Sequence, residues 1–152
     1  MKKLPLEREA LFPRIDGIQK NLKRLELLGT LSLEEFSSGD PFDLAQHHLR
    51  LALEGIFHIG AHILSRLPGG RAVEYKEIGL KMAEAKLLPK DFARQVLVPM
   101  AGLRNILVHQ YTDIDPTRLQ EIIKTRLKDI EQFLTYVKEV LDNPKKFSLT
   151  LD

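Results

Sequence analysis

The chain has 152 residues, 43% hydrophobic and 29% charged, with 23 Lys and Arg against 21 Asp and Glu and no cysteine. That is enough apolar material for one buried core and too little net charge for a disordered tail. The near-balance excludes a global cationic stripe for duplex binding, and the missing thiols exclude disulfides, thiol catalysis and thiolate metal sites.

The N-terminal MKKLPLEREALF breaks its apolar residues with charge at once, unlike a signal peptide. No apolar run nears the roughly 20 residues of a membrane span, so a soluble, cytoplasmic, single-domain chain over residues 1–152 is expected. Ile15, Ile18, Leu22, Leu25 and Leu28 recur at three- and four-residue steps and predict a first amphipathic helix ending at Gly29. Ser32 and Glu35 have capping-box spacing for a short helix that SSGDP, residues 37–41, closes. Asp40 as cap and Pro41 as first helical residue start a second long helix reaching about residue 68. Its apolar stripe of Leu49, Ala52, Ile56, Ile59, Ile63 and Leu67, widened by Leu53, Phe57 and Leu64, places it centrally. A third helix is expected over 74–86, and a fourth starts at Pro89 with a kink at Pro99, between about 95 and 100. Asp115 and Pro116 open one last long helix through Val137, and the tail from about 143 reads as irregular. Without any alternating strand pattern the fold class is all-α, an up-and-down bundle of four or five main helices.

The stretch RNILVHQY, residues 104–111, crowds four polar side chains into a leucine-rich helix. With Met100, Leu103 and Leu107 as the core stripe, Asn105 and His109 lie nearly opposite it, and Ile106 and Val108 give the helix a second apolar surface. A second copy of the chain suits that surface: a homodimer through the motif helix would bring two motifs to one cleft. Such a set fits phosphodiester chemistry on RNA. A histidine moves a proton near neutral pH, a guanidinium grips phosphate oxygens bidentately, and the ribose 2′-hydroxyl is an internal nucleophile. Arg104 would stabilise charge at phosphorus, His109 would handle the proton and Asn105 would orient His109. The bland alternative is a helix C-terminus whose Arg, Asn and His satisfy late carbonyls, with Tyr111 a boundary aromatic.

RNILVHQY followed by TDID resembles the Arg, four residues, His, one residue, Tyr motif of HEPN-domain proteins of the HepT-like toxin group. LALEGIFHIGAHIL, EYKEIGLKMAEAKLLPKDFARQV and MAGLRNILVHQYTDID, in that order, resemble the same family over most of residues 40–135. The resemblance implies a metal-independent, cofactor-free ribonuclease toxin, dimeric through the motif helices. It also implies neutralisation by an MntA-type nucleotidyltransferase that adenylylates the motif tyrosine. Arg104 and His109 would then be catalytic, Asn105 supportive and Tyr111 the modified residue. Glu54, matching an acidic residue of the family's second helix, would orient Arg104 or His109. A non-catalytic nucleotide- or partner-binding subunit of a two-component nucleotidyltransferase is the alternative. Pro99 departs from the pattern.

Glu54, His58 and His62 stand at four-residue steps and could be drawn as a metal face. Ile59, Gly60, Ala61 and Ile63 surround them and no further ligand set is indicated, so packed or surface polar groups are expected instead. His47 and His48 read as boundary residues. Lys20, Lys23, Arg24, Lys145 and Lys146 read as solvated face rather than an RNA path.

Overall fold

A computed structural model of the chain describes residues 4–109 and 114–152. Helix α1 (Arg8–Gly29) runs through Pro13 and buries Leu11, Ile18, Leu22 and Leu25 along α3. Helix α2 (Leu33–Ser37) opens with the expected capping box: Glu35 N–H donates to Ser32 Oγ at 3.1 Å, and Ser32 N–H donates to Glu35 Oε1 at 3.3 Å. Helix α3 (Asp40–Leu64) is 25 residues long and buries ten of them. A single narrow stripe cannot supply ten, so α3 is flanked on several sides, as its widened pattern predicts.

The cap of α3 differs from the sequence expectation. Gly39, at φ +86°, is the N-cap, Asp40 is already the first helical residue, and no side chain caps the helix. The turn needs the left-handed region that only glycine enters cheaply, so the helix starts after Gly39, and Asp40 contributes charge to the first turn instead.

Helix α4 (Tyr75–Glu84) crosses α3 at a glycine. A Cβ built on Gly60 would lie 2.6 Å from Ile78 Cγ2 and 3.0 Å from Met82 Sδ, so this approach exists only without a side chain at 60. That contact sets Tyr75, at the start of α4, beside Phe57 and His58 on α3.

The fourth predicted helix is one helical run in three parts: α5 (Lys90–Phe92), a π-helical stretch (Ala93–Leu97) and α6 (Val98–Val108). Val98 N–H donates to Ala93 O, five residues back. The irregularity expected near Pro99 takes the form of this wide turn, which ends two residues before the proline, and the helical run continues through Pro99 into α6.

The last predicted helix is divided. Asp115 caps α7 (Pro116–Thr125) by accepting from Thr117 N–H at 3.1 Å, as expected, but Arg126, at φ −114° and ψ −2°, separates it from α8 (Leu127–Asp142). The Thr125 hydroxyl donates to Glu121 O at 2.7 Å, a back-bond of the kind that bends helices.

The tail is also more ordered than expected. A 3-10 turn (Pro144–Phe147) leads to Leu149, 3% exposed, and Leu151 pairs with Leu6 in an isolated parallel bridge. Leu6 N–H donates to Thr150 O at 2.7 Å and Asp152 N–H donates to Leu6 O at 3.1 Å. Among the described residues no helix is long and apolar enough to cross a membrane.

Candidate nuclease site

Helix α6 presents its last turn as the sequence expects. Met100 and Leu107 are buried and Leu103 partly so, while Asn105 and His109 are exposed on the other side. His109 is the C-cap, in extended conformation, and its N–H donates to Asn105 O at 3.0 Å. Ile106 and Val108 are exposed large hydrophobics. Beside Ile106 a groove of about 880 Å³ opens between α3, α6 and the α7–α8 corner, with Leu53, Pro99, Leu103 and Ile122 among its walls. Tyr111 lies outside the described residues.

Arg104 turns inward to α3. Its Nη2 and Nε donate to Glu54 Oε2 at 3.0 and 3.3 Å, and Nη1 donates to Asn105 Oδ1 at 3.3 Å. The other carboxylate oxygen, Oε1, accepts from Arg50 Nη1 at 2.8 Å. One Glu54 carboxylate, 18% exposed, therefore faces two guanidinium groups and leaves a net positive charge at the end of α6. A guanidinium has five N–H groups, so these three bonds leave one on Nη1 and one on Nη2 able to meet an anion. Of the residues singled out from sequence, the structure brings Glu54, Arg104 and Asn105 into one bonded cluster on neighbouring helices, with His109 four positions beyond Asn105.

Tyr75, Arg50, Arg14 and His58 carry no motif, and sequence analysis did not link them to Arg104. The Arg104 guanidinium carbon sits 4.6 Å from the centre of the Tyr75 ring, a cation–π distance, and Phe57 stacks on that ring at 4.9 Å. Arg14 Nη1 lies 3.0 Å from His58 Nδ1, and Tyr75 Oη lies 3.2 Å from His58 Nε2. Because arginine only donates, Nδ1 must be the unprotonated nitrogen, so Nε2–H donates to Tyr75 Oη. Desolvation by the surrounding helices, then the Arg14 charge, lowers the His58 pKa; Arg104 adds to this and Glu54 opposes it. The only available signals were the i,i+4 spacing of Arg50 and Glu54 and the position of Tyr75 at a helix start.

His62 and His48 have partners of their own. His62 Nε2 accepts from Glu7 N–H at 3.1 Å, and His48 Nδ1 lies 2.8 Å from Asn21 Oδ1. Burial first, then nearby positive charge, lowers the pKa of both. Lys20 pairs with Asp16 and Lys146 with Glu139 on exposed surface.

A family model described as ribonuclease HepT-like matches residues 18–137. A tRNA nuclease HepT of Aphanizomenon flos-aquae is 30% identical over 128 residues, covering 84% of each chain. An mRNA nuclease HepT of Shewanella oneidensis is 24% identical over 133 residues, covering 86% of this chain and 97% of its own. A solved tri-AMPylated HEPN toxin of Shewanella oneidensis in complex with an MNT antitoxin superposes at a TM-score of 0.78. It has 24% identity and covers 87% of this chain and 98% of its own.

Proposed function

Since the chain belongs to the HepT-like ribonuclease family, we propose that it is a metal-independent endoribonuclease and the toxin of a toxin–antitoxin pair, with Arg104, Asn105 and His109 as its site. The observation that carries this reading is the Arg104 geometry: Glu54 and Asn105 take three of its donors, and one on each terminal nitrogen is left for a phosphate. His109, exposed at the end of the same helix, would remove the proton of a ribose 2′-hydroxyl. The resulting oxygen attacks phosphorus, the bond to the 5′-oxygen breaks, and that oxygen takes up a proton from the His109 imidazolium so formed or from the second motif of the dimer, leaving a 2′,3′-cyclic phosphate and a 5′-hydroxyl. Arg104 would hold the charge that builds on the phosphoryl oxygens, the step in which a guanidinium contributes most. Requiring the 2′-hydroxyl as nucleophile restricts the reaction to RNA.

The working unit in this reading is a homodimer through α6. Support comes from Ile106 at 39% and Val108 at 36% exposure, with an apolar groove adjoining Ile106. A second motif at the same cleft doubles its cationic content.

The regulator would be a cognate MntA-like nucleotidyltransferase that adenylylates Tyr111. The relative solved in AMPylated form with an MNT antitoxin supports this. Nucleotide phosphate on Tyr111, two residues after His109, would bring negative charge to a site built to receive an RNA phosphate. Incubation of purified protein with RNA and a chelator tests the nuclease reading. Cleavage lost in His109→Ala and Arg104→Ala supports it, and cleavage that needs added metal or survives both substitutions refutes it.

A further inference from the structure

An arginine side chain has four torsions between backbone and guanidinium, and a phosphate clamp works only if they are fixed before substrate arrives. Glu54 alone does not fix Arg104. Both bonds end on the same oxygen, Oε2, so the guanidinium can pivot about that point. Asn105 Oδ1, on an exposed side chain of the same turn, is a weak second anchor at 3.3 Å. Rotation out of the guanidinium plane has to be stopped from another direction.

The ring of Tyr75 occupies that direction. Its centre is 4.6 Å from the guanidinium carbon. The ring cannot tilt freely, because Phe57, 1% exposed, stacks on it at an interplanar angle of 18°. Nor can its tip swing, because Oη accepts from His58, whose other nitrogen is held by Arg14. The chain Arg14, His58, Tyr75, Arg104 thus links α1, α3, α4 and α6. The α4 end of it is set by the close crossing at Gly60.

We propose that Tyr75 is the positioning residue for Arg104, its ring face and the Glu54 carboxylate together holding the guanidinium in the orientation that meets phosphate. The role of that orientation in turnover rests on the ribonuclease reading of Arg104 given above, but the orientation itself can be measured without it.

Three variants and two readouts decide the matter. Tyr75→Phe keeps the ring and loses the hydroxyl, Tyr75→Leu loses the ring, and Arg104→Ala identifies the Arg104 Nε–H resonance by its disappearance. The wild type should give a sharp Nε–H signal that persists, partly broadened by the freed ring tip, in Tyr75→Phe and broadens away in Tyr75→Leu. Turnover of RNA should follow: kcat within about twofold of wild type for Tyr75→Phe and roughly tenfold lower for Tyr75→Leu, the size of one lost cation–π contact, with KM little changed. A role confined to packing would lower the melting temperature of Tyr75→Leu while leaving both the signal and kcat of the folded protein intact. Either of those two results overturns the proposal. Should Tyr75→Leu fail to fold, Tyr75→Met, whose flexible unbranched chain adapts better to the space left by the ring, carries the same prediction. If Arg104→Ala cleaves RNA as well as wild type, it is the nuclease role of Arg104 that fails, and the Nε–H signal alone then decides whether Tyr75 fixes the side chain.

Discussion

Arg104 and Glu54, fifty positions apart in sequence, meet at 3.0 Å between Nη2 and Oε2, with both side chains at least three-quarters covered. Arg50 takes the remaining carboxylate oxygen, so this one acid is the counter-charge for two guanidinium groups and the joint between α3 and α6. Glu54→Gln keeps the shape and removes the charge. The expected cost is about 1–3 kcal/mol of unfolding free energy, the range for hydrogen bonds to charged partners, together with reduced RNA cleavage. Urea denaturation read alongside cleavage checks both; an unchanged midpoint would mean that the pair contributes nothing net.

The crossing of α3 and α4 depends on the absence of a side chain at Gly60, where Ile78 and Met82 close in. Gly60→Ala should destabilise by about 1–3 kcal/mol because the Ile78 and Met82 side chains of α4 must be displaced, even though alanine is the better helix former. Gly17, with nothing within 4 Å of a built Cβ, is the control: Gly17→Ala should be neutral or slightly stabilising. Thermal melts of the two variants compare them directly.

Stability should fall on mild acidification. The folded-state pKa values of His48, His58 and His62 are lowered, so the native protein resists protonating rings that the unfolded chain protonates near its ordinary value of about 6.5. The unfolded state therefore binds more protons as pH drops through that value. The stabilisation is complete above it and is lost below it until the native rings titrate as well. Urea midpoints at pH 7.5 and 5.5 should differ in that direction, and by less in His58→Asn. An equal drop in that variant would assign the effect elsewhere.

How far the fold could be read depended on the range of the forces involved. Periodicity marked α1, α3 and the core face of α6, and local chemistry marked the Ser32–Glu35 box and the Asp115 cap, because each involves residues within a turn of one another. The start of α3 was placed one residue late, with Asp40 rather than Gly39 as the cap, since side-chain preference was weighed ahead of the positive φ that the turn requires. The break at Arg126 has no proline or glycine to announce it. At the candidate site, Arg104, Asn105 and His109 were legible as neighbours in sequence, and Glu54 through family resemblance. Tyr75, Arg14 and His58 were not, because their relation to Arg104 exists only once four helices pack.

The docked tail supplies a further check. Leu149, 3% exposed, is held where Leu6 and Thr150 pair their backbones. Leu149→Ala should cost about 2–4 kcal/mol, as for other buried leucines. A tail that merely lay on the surface would show almost no change in a urea titration.

In the proposed reaction Arg104 and His109 cleave RNA through its own 2′-hydroxyl, and the ends of the products report that chemistry. The most direct measurement is the end-group analysis of products from chelator-treated protein acting on an RNA oligonucleotide and on the same oligonucleotide with 2′-deoxy substitution. Expected are 2′,3′-cyclic phosphate and 5′-hydroxyl ends from the first, no cleavage of the second, and no products with His109→Ala. Cleavage of the deoxy substrate, or 5′-phosphate ends, would contradict that reaction.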